Sequence, residues 1–174
     1  MPDPIEFKLA EFKLAMRRLA AGVSIVTTID GEQPHGFAAT SVTSVSADPS
    51  PLLLVCVNKS VSCHDLMLAS GRFCVNVLAE SDMETARLFS SSKDRHRRFE
   101  LCKWETLSTG APALTGALAS FDCRIHRAME VQTHTVVFGE VVETRLIDDD
   151  LHPLVYIDGR FGGLRCPPTA GATP

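Results

Sequence analysis

The stretch THTVVFGEVVETRLI, residues 133–147, is dense in β-branched and aromatic residues and contains neither proline nor a turn cluster. It is far longer than an ordinary strand of about 5–6 residues, and such length favours a strand curled into a barrel over a flat edge. The run before it, LASFDCRIHRAME (118–130), reads as another strand, and LVYIDG (154–159) as a third.

Working back toward the N-terminus, RFCVNVL (72–78) and LLLVCVN (52–58) read as buried strands, the latter set off by the turn Asp48-Pro49-Ser50-Pro51. VSIVTTI (23–29) is β-branched, Asp30-Gly31 is a hairpin signal, and HGFAATSVTSVS (35–46) then reads as one continuous strand. Phe12, Met16, Leu19 and Val23 recur at helical spacing, which predicts an amphipathic helix over 5–21 closed by Gly22. A short helix is expected over 62–70. Ser81-Asp82-Met83-Glu84 spells a capping box opening a helix through about Phe89. Residues 90–116, which contain Trp104, are polar and turn-rich and read as a long irregular excursion. At least six strands with hairpin connections and no β-α-β alternation give a mainly β protein, a barrel with a few peripheral α-helices.

With 174 residues the chain is expected to form a single domain, its core spanning about 7–164 and residues 165–174 forming a tail. Seventeen Lys and Arg against 21 Asp and Glu give a net charge of −4, which argues against a nucleic-acid partner. The one basic cluster is KDRHRR, residues 93–98; it reads as a solvated segment or as a local contact to a phosphate-bearing small molecule. Six cysteines, at 56, 63, 74, 102, 123 and 166, form neither a C-x-x-C pair nor a short Cys/His group, so no metal is expected and a reducing cytoplasm fits. No apolar run reaches the roughly 20 residues that span a bilayer, so no membrane partner is expected. Glycine-rich nucleotide motifs of the G-x-G-x-x-G and G-x-x-x-x-G-K-[ST] types are missing as well.

Two stretches carry candidate chemistry. Gly36-Phe37-Ala38-Ala39-Thr40-Ser41, followed by Ser44 and Ser46, offers small side chains beside which a flat ring can lie close to backbone amides, with hydroxyls as adjustable donors. Read alone, it also suits a half-exposed hydroxyl-rich strand. Cys56-Val57-Asn58-Lys59-Ser60, with Ser62 beyond, gathers a carboxamide, an ammonium and hydroxyls at the end of a strand, which suits a phosphate or ribityl chain and equally a helix cap.

Taken in order, these blocks resemble the short-chain flavin reductase family. The order runs F-x-x-A-M-x-x-x-A-x-G-V-x-I-V-T-T (12–28), GFAATSVTSVS (36–46), SPLLLVCVNK (50–59), FCVNVL (73–78), F-S…R-F…W, GAPALTGALASFDC (110–123) and THTVVFGEV (133–141). That family comprises the reductase components of two-component flavin monooxygenases, such as the 4-hydroxyphenylacetate 3-hydroxylase and the pyrimidine-degradation oxygenase. The resemblance implies an FMN-binding split β-barrel, a homodimer with flavin near the subunit interface, and an NAD(P)H:flavin oxidoreductase. Such an enzyme reduces FMN or FAD with NADH or NADPH and passes reduced flavin to a partner monooxygenase.

Carried over by position, the resemblance places Ala38, Ala39, Thr40 and Ser41 against the isoalloxazine, with Ser44 and Ser46 toward the ribityl and phosphate end. Cys56, Val57, Asn58 and Lys59 look like the next flavin-contacting strand, and Ser60 and Ser62 fall where the phosphate is held. Phe89, Ser90, Arg95 and Phe99 match the F-S…R-F block. Arg160 and Phe161 match a C-terminal block that flanks the flavin, although Asp158-Gly159 precedes them here. His134 looks like the nicotinamide-binding histidine and is the catalytic candidate; Gln132 stands where the family usually has glycine. Alternatives are a flavin-dependent corrinoid reductase on the same scaffold, acting on cob(II)yrinic acid a,c-diamide, a flavin-binding module without reductase activity, and a pyridoxamine-phosphate-oxidase-like enzyme on a related barrel.

Overall fold

The computed structural model describes residues 9–93, 95–147 and 152–165. In chain order α1 (Leu9–Met16) precedes β1 (Ala21–Gly22), β2 (Ser24–Asp30), β3 (Gln33–Ala39), β4 (Val42–Ser46) and β5 (Leu52–Asn58). Then come α2 (His64–Ser70), β6 (Arg72–Val77), α3 (Met83–Ser90), β7 (Trp104–Thr106) and β8 (Pro112–Leu114). The chain continues with β9 (Ala119–Val131), β10 (His134–Leu146), β11 (Leu154–Ile157) and β12 (Arg160–Gly163). The expected mainly β architecture with a few peripheral helices is the one the chain adopts.

Seven strands form one antiparallel sheet in the order β3-β2-β6-β9-β10-β5-β4. Its two edge strands, β3 and β4, are consecutive in the chain and separated only by Thr40 and Ser41. Three Cα–Cα steps reach at most about 11 Å, so the sheet must curl until its edges nearly meet. Among the described residues no ladder joins β3 to β4; Ser41 accepts the Cys56 N–H at 3.3 Å, which prolongs the β4–β5 pairing back toward β3. Register shifts between β9 and β10 at Phe138/Gly139 and at Val141/Glu143, and in β4 between Ser44 and Ser46, supply the coiling.

The concave face buries Val26, Phe37, Val55, Val57, Phe73, Val75, Cys123 and Val137. Strand β5 shows the two-residue period plainly, with Leu53, Val55 and Val57 inward and Cys56 and Asn58 on the other face. Gly139 is required by this packing, because a Cβ there would collide with the Phe73 ring. A second cluster, Val23, Ile25, Leu78, Ala86, Phe89, Leu114 and Leu154, fastens α3 and the small sheets β1-β11-β12 and β7-β8 to the outside. Buried Asn76 ties three elements together, donating to the Ile25 carbonyl and accepting from the Leu114 N–H and the Ser120 hydroxyl.

Several expectations need correction. Within the described residues the N-terminal helix ends at Met16 rather than Ala21, and Gly22 lies in β1, where pairing with Val155 overrides its value as a helix stop. Residues 5–8 lie outside the described residues, as do Asp94, Cys166 and all of the expected tail except Arg165. The strand expected over 35–46 is broken at Thr40–Ser41, because the chain must cross from one sheet edge to the other there. The capping box is displaced: Asp82, not Ser81, closes it, its carboxylate accepting the Ala79 N–H at 2.9 Å over a 3₁₀ turn. The excursion over 90–116 contains the β7–β8 hairpin, and its Trp104 packs on Phe89 and Phe99 with centroids 5.7 and 4.9 Å apart. Gly139→Ala is expected to lower stability by about 1–3 kcal/mol through this overpacking; a urea midpoint equal to that of the parent chain would contradict it.

Candidate functional site

At one end of β5 the chain turns sharply. The Asn58 carboxamide accepts the Ser60 N–H at 2.9 Å, and the Asn58 carbonyl accepts the Val61 N–H at 3.0 Å. These bonds present Ser60, Val61 and Ser62 toward β3, which the curl of the sheet has brought alongside. Opposite them lies the C-terminal end of α3. Gly36 permits its approach, since a Cβ at that position would sit 2.9 Å from the Phe89 ring.

A cleft of about 330 Å³ lies between these elements. Phe37 and Ala38 of β3 form one wall, Ser60, Val61 and Ser62 a second, and Phe89 with Ser90, Ser91 and Ser92 a third. Arg95 and Arg98 close it. Phe99 stands behind Phe89 in an edge-to-face contact 5.4 Å between centroids, so it supports the wall rather than lining it.

Arg98 is the residue that sequence reasoning missed. It is only 7% exposed, and its guanidinium donates to the carbonyls of Gly36 at 2.7 Å, Leu88 at 3.3 Å, and Ser91. It also lies 5.5 Å from the Phe89 centroid. Carbonyls satisfy its donors but carry no net charge, and among the described residues no carboxylate pairs with it. Burial first, and then the nearby charge of Arg95, lower its pKa from the ordinary value. An anion in the cleft would relieve both effects. The signal lay in KDRHRR, but charge alone does not say which of its members turns inward; Arg98 is marked by its bond to the Gly36 carbonyl, 62 residues away in the chain.

The remaining candidates are distributed around this cleft. Thr40 and Ser41 line a separate groove of about 520 Å³ with α1 and β11, and the Ser41 hydroxyl donates to the Cys56 carbonyl at 3.1 Å. Ser44 and Ser46 line a third groove, of about 290 Å³, against Leu53, Phe121 and Val141. Ala39 and Val57 are buried in the concave core and do not line the cleft. Cys56 is a free, half-buried thiol. The Lys59 ammonium is held by Glu130 at 2.6 Å, and that hydrogen bond and charge keep the Glu130 carboxyl below its usual range. Arg160 is exposed and pairs with Asp158 at 3.4 Å, while Phe161 meets Tyr156 edge-on at 5.2 Å; neither lines the cleft.

His134 opens β10 directly opposite Asn58 and Val131, its Nδ1 2.9 Å from the Thr133 hydroxyl. It is therefore one strand position from the loop that carries Ser60. The two-residue turn before it places Gln132 at φ 50°, the left-handed region that favours glycine. Gln132 thus keeps the backbone path that glycine would take there. Burial also raises the Cys63 thiol, in the loop just beyond Ser62, to about 11, which keeps it protonated and inert near neutral pH.

Residues 16–165 match the family described as "Flavin reductase like domain". A protein named FMN reductase (NADH) RutF from Pantoea ananatis is 42% identical over 151 residues, covering 87% of this chain and 78% of that protein. The RutF of Stutzerimonas stutzeri is 41% identical over 154 residues, covering 88% and 87%. Among solved structures, BorF, the flavin reductase component of a bacterial two-component tryptophan halogenase, superposes with TM-score 0.83 at 35% identity over 92% of this chain and all of that one. The NADH:FAD oxidoreductase SgcE6 of Streptomyces globisporus, solved with NAD and FAD fragments, superposes with TM-score 0.81 at 33% identity, covering 92% and 94%. Inorganic phosphate at millimolar concentration is expected to raise the melting temperature of the chain and to lose that effect in Arg98→Met; an equal shift in both proteins would contradict an anion site at Arg98.

Proposed function

The chain belongs to the flavin reductase family, and on that premise we propose that it is an NADH-dependent FMN reductase whose reduced flavin passes to a partner monooxygenase. The observation that carries this reading is the buried guanidinium of Arg98, which meets no carboxylate among the described residues, in a cleft ringed by serine hydroxyls. A flavin 5′-phosphate matches that donor set: a compact dianion met by a planar fork and by several short hydroxyl arms. The relatives named FMN reductase (NADH) support FMN and NADH as the pair. BorF, by its name the flavin reductase component of a two-component halogenase, supports the hand-off of reduced flavin to a partner enzyme.

In this reading Arg98, Arg95, Ser60, Ser62 and the serines that follow Phe89 hold the phosphate. Ala38 has too small a side chain to obstruct a flat ring, and the Asn58 and Lys59 backbone edges the same surface. His134, at the mouth of β10, orients the nicotinamide. When bound, flavin supplies the hydride-accepting ring, so the protein's part is orientation rather than acid–base work. The half-exposed strand ends and serine-lined walls suit a flavin that leaves after reduction.

The chain in this proposal is one domain working as a homodimer. Leu9, Leu14, Met16 and Leu19 are all exposed along and just beyond α1, and Tyr156 and Ile157 extend that apolar surface. A second copy would cover it. Among the described residues no helix is long and apolar enough to cross a membrane.

Purified protein is expected to oxidise NADH only when FMN is added; NADH oxidation independent of added flavin, or its absence with saturating FMN, would contradict the reading. His134→Ala is expected to raise the NADH KM about tenfold while flavin affinity stays within about twofold. Unchanged steady-state kinetics would remove His134 from the site.

A further inference from the structure

Behind the cleft lies a polar chain that the proposed reaction does not use. His64, the first residue of α2, is buried at 7% exposure. Its Nδ1 lies 2.6 Å from the carboxylate of Asp65, and its Nε2 lies 2.8 Å from the hydroxyl of Thr135. Thr135 is fully buried in β10, immediately after His134. The ionised Asp65 carboxylate only accepts, so Nδ1 carries a proton; in the neutral ring Nε2 then accepts the Thr135 O–H. Asp65 itself stands in solvent, its side chain 97% exposed.

The elements joined by this chain are the two that matter to the proposed ligands. His64 ends the loop carrying Ser60 and Ser62, and its own N–H donates to the Val61 carbonyl at 3.0 Å. Thr135 belongs to the strand that begins with His134. One further bond spans the same gap, from the Lys59 N–H to the Thr133 carbonyl at 3.0 Å. Together the two bonds bracket His134 between residues 133 and 135. A buried histidine satisfied at both nitrogens is costly to lose, since either vacated partner is left without its hydrogen bond.

We propose that His64 is a positioning residue that, through Thr135, fixes the strand bearing His134 against the Ser60–Ser62 loop and so sets the distance between the nicotinamide and flavin subsites. This rests on the proposed reductase function. His64 touches neither ligand in that scheme. Its loss acts on the fit of the second ligand, because the two Asn58 bonds still hold the Ser60–Ser62 loop on β5 and Arg98 still joins the β3 and α3 walls of the cleft.

The test uses full-length protein and NADH with FMN. His64→Asn keeps a donor near Nδ1 but cannot reach Thr135, Thr135→Val removes the hydroxyl, and His64→Gln restores an acceptor near Nε2. His64→Asn and Thr135→Val are each expected to raise the NADH KM about fivefold, the worth of one buried hydrogen bond, with the FMN KM within about twofold. The double variant is expected to be no worse than either single one, and His64→Gln is expected to recover most of the loss. Unchanged NADH KM in both single variants overturns the proposal. So does a loss of FMN and NADH binding together in proportion to a fall in melting temperature, or additive effects in the double variant. Failure of the unmodified chain to oxidise NADH with FMN overturns the reductase reading and the proposal with it, whereas an active parent with unaffected variants overturns the positioning role alone.

Discussion

The architecture turns on a chain-length constraint: two residues, Thr40 and Ser41, connect the opposite edges of a seven-stranded sheet. A flat sheet would hold those edges several strands apart, at about 4.8 Å per strand. The sheet therefore rolls, and rolling carries the end of β5 beside β3. Without that approach Ala38 and the Ser60–Ser62 loop would not line one cleft. The bulges in β10 and β4, and the glycine at 139 that admits the Phe73 ring, are the local means by which the roll is achieved.

Charge then distinguishes this end of the barrel from the rest. The protein is acidic overall, with a net charge of −4, yet Arg98 lies buried, its hydrogen-bond partners among the described residues are carbonyls, and Arg95 stands beside it. Overall charge governs non-specific attraction to polyanions, whereas binding of one small dianion depends on what lines one cleft. The carbonyl cage also does structural work, joining β3, the end of α3 and the segment after it in a single side chain. Hydride transfer between two stacked rings asks mainly for such fixed geometry, and among the described residues that line the cleft there is no acidic side chain.

The strands were largely legible because each has a clean chemical signature. LLLVCVN coincides with β5, and the long runs on either side of Gln132 coincide with β9 and β10. The break at Thr40–Ser41 was not legible, because both residues are compatible with a strand and only the closure of the sheet forces the crossing there. Gly22 was misleading in the opposite sense: a good helix stop was taken up by pairing with β11. The hairpin at Trp104 was hidden in a polar segment, since its three-residue strands are stabilised by distant Phe89 rather than by their own pattern.

For the site, residue types and order indicated the cleft more readily than they indicated its members. Ala38, Ser60, Ser62, Phe89, Ser90 and Arg95 converge on it, whereas Ser44, Ser46, Arg160 and Phe161 lie elsewhere on this chain. Local sequence does not show which member of a basic run turns inward, and Arg98 is distinguished only by what it meets across 62 residues of chain at Gly36. The most direct test of the account is a comparison of FMN with riboflavin, which has the same ring and no phosphate, by quenching of flavin fluorescence. If the serine–arginine cleft grips the phosphate, FMN binds at least about tenfold more tightly, the worth of one charge-assisted contact; equal affinities would contradict it.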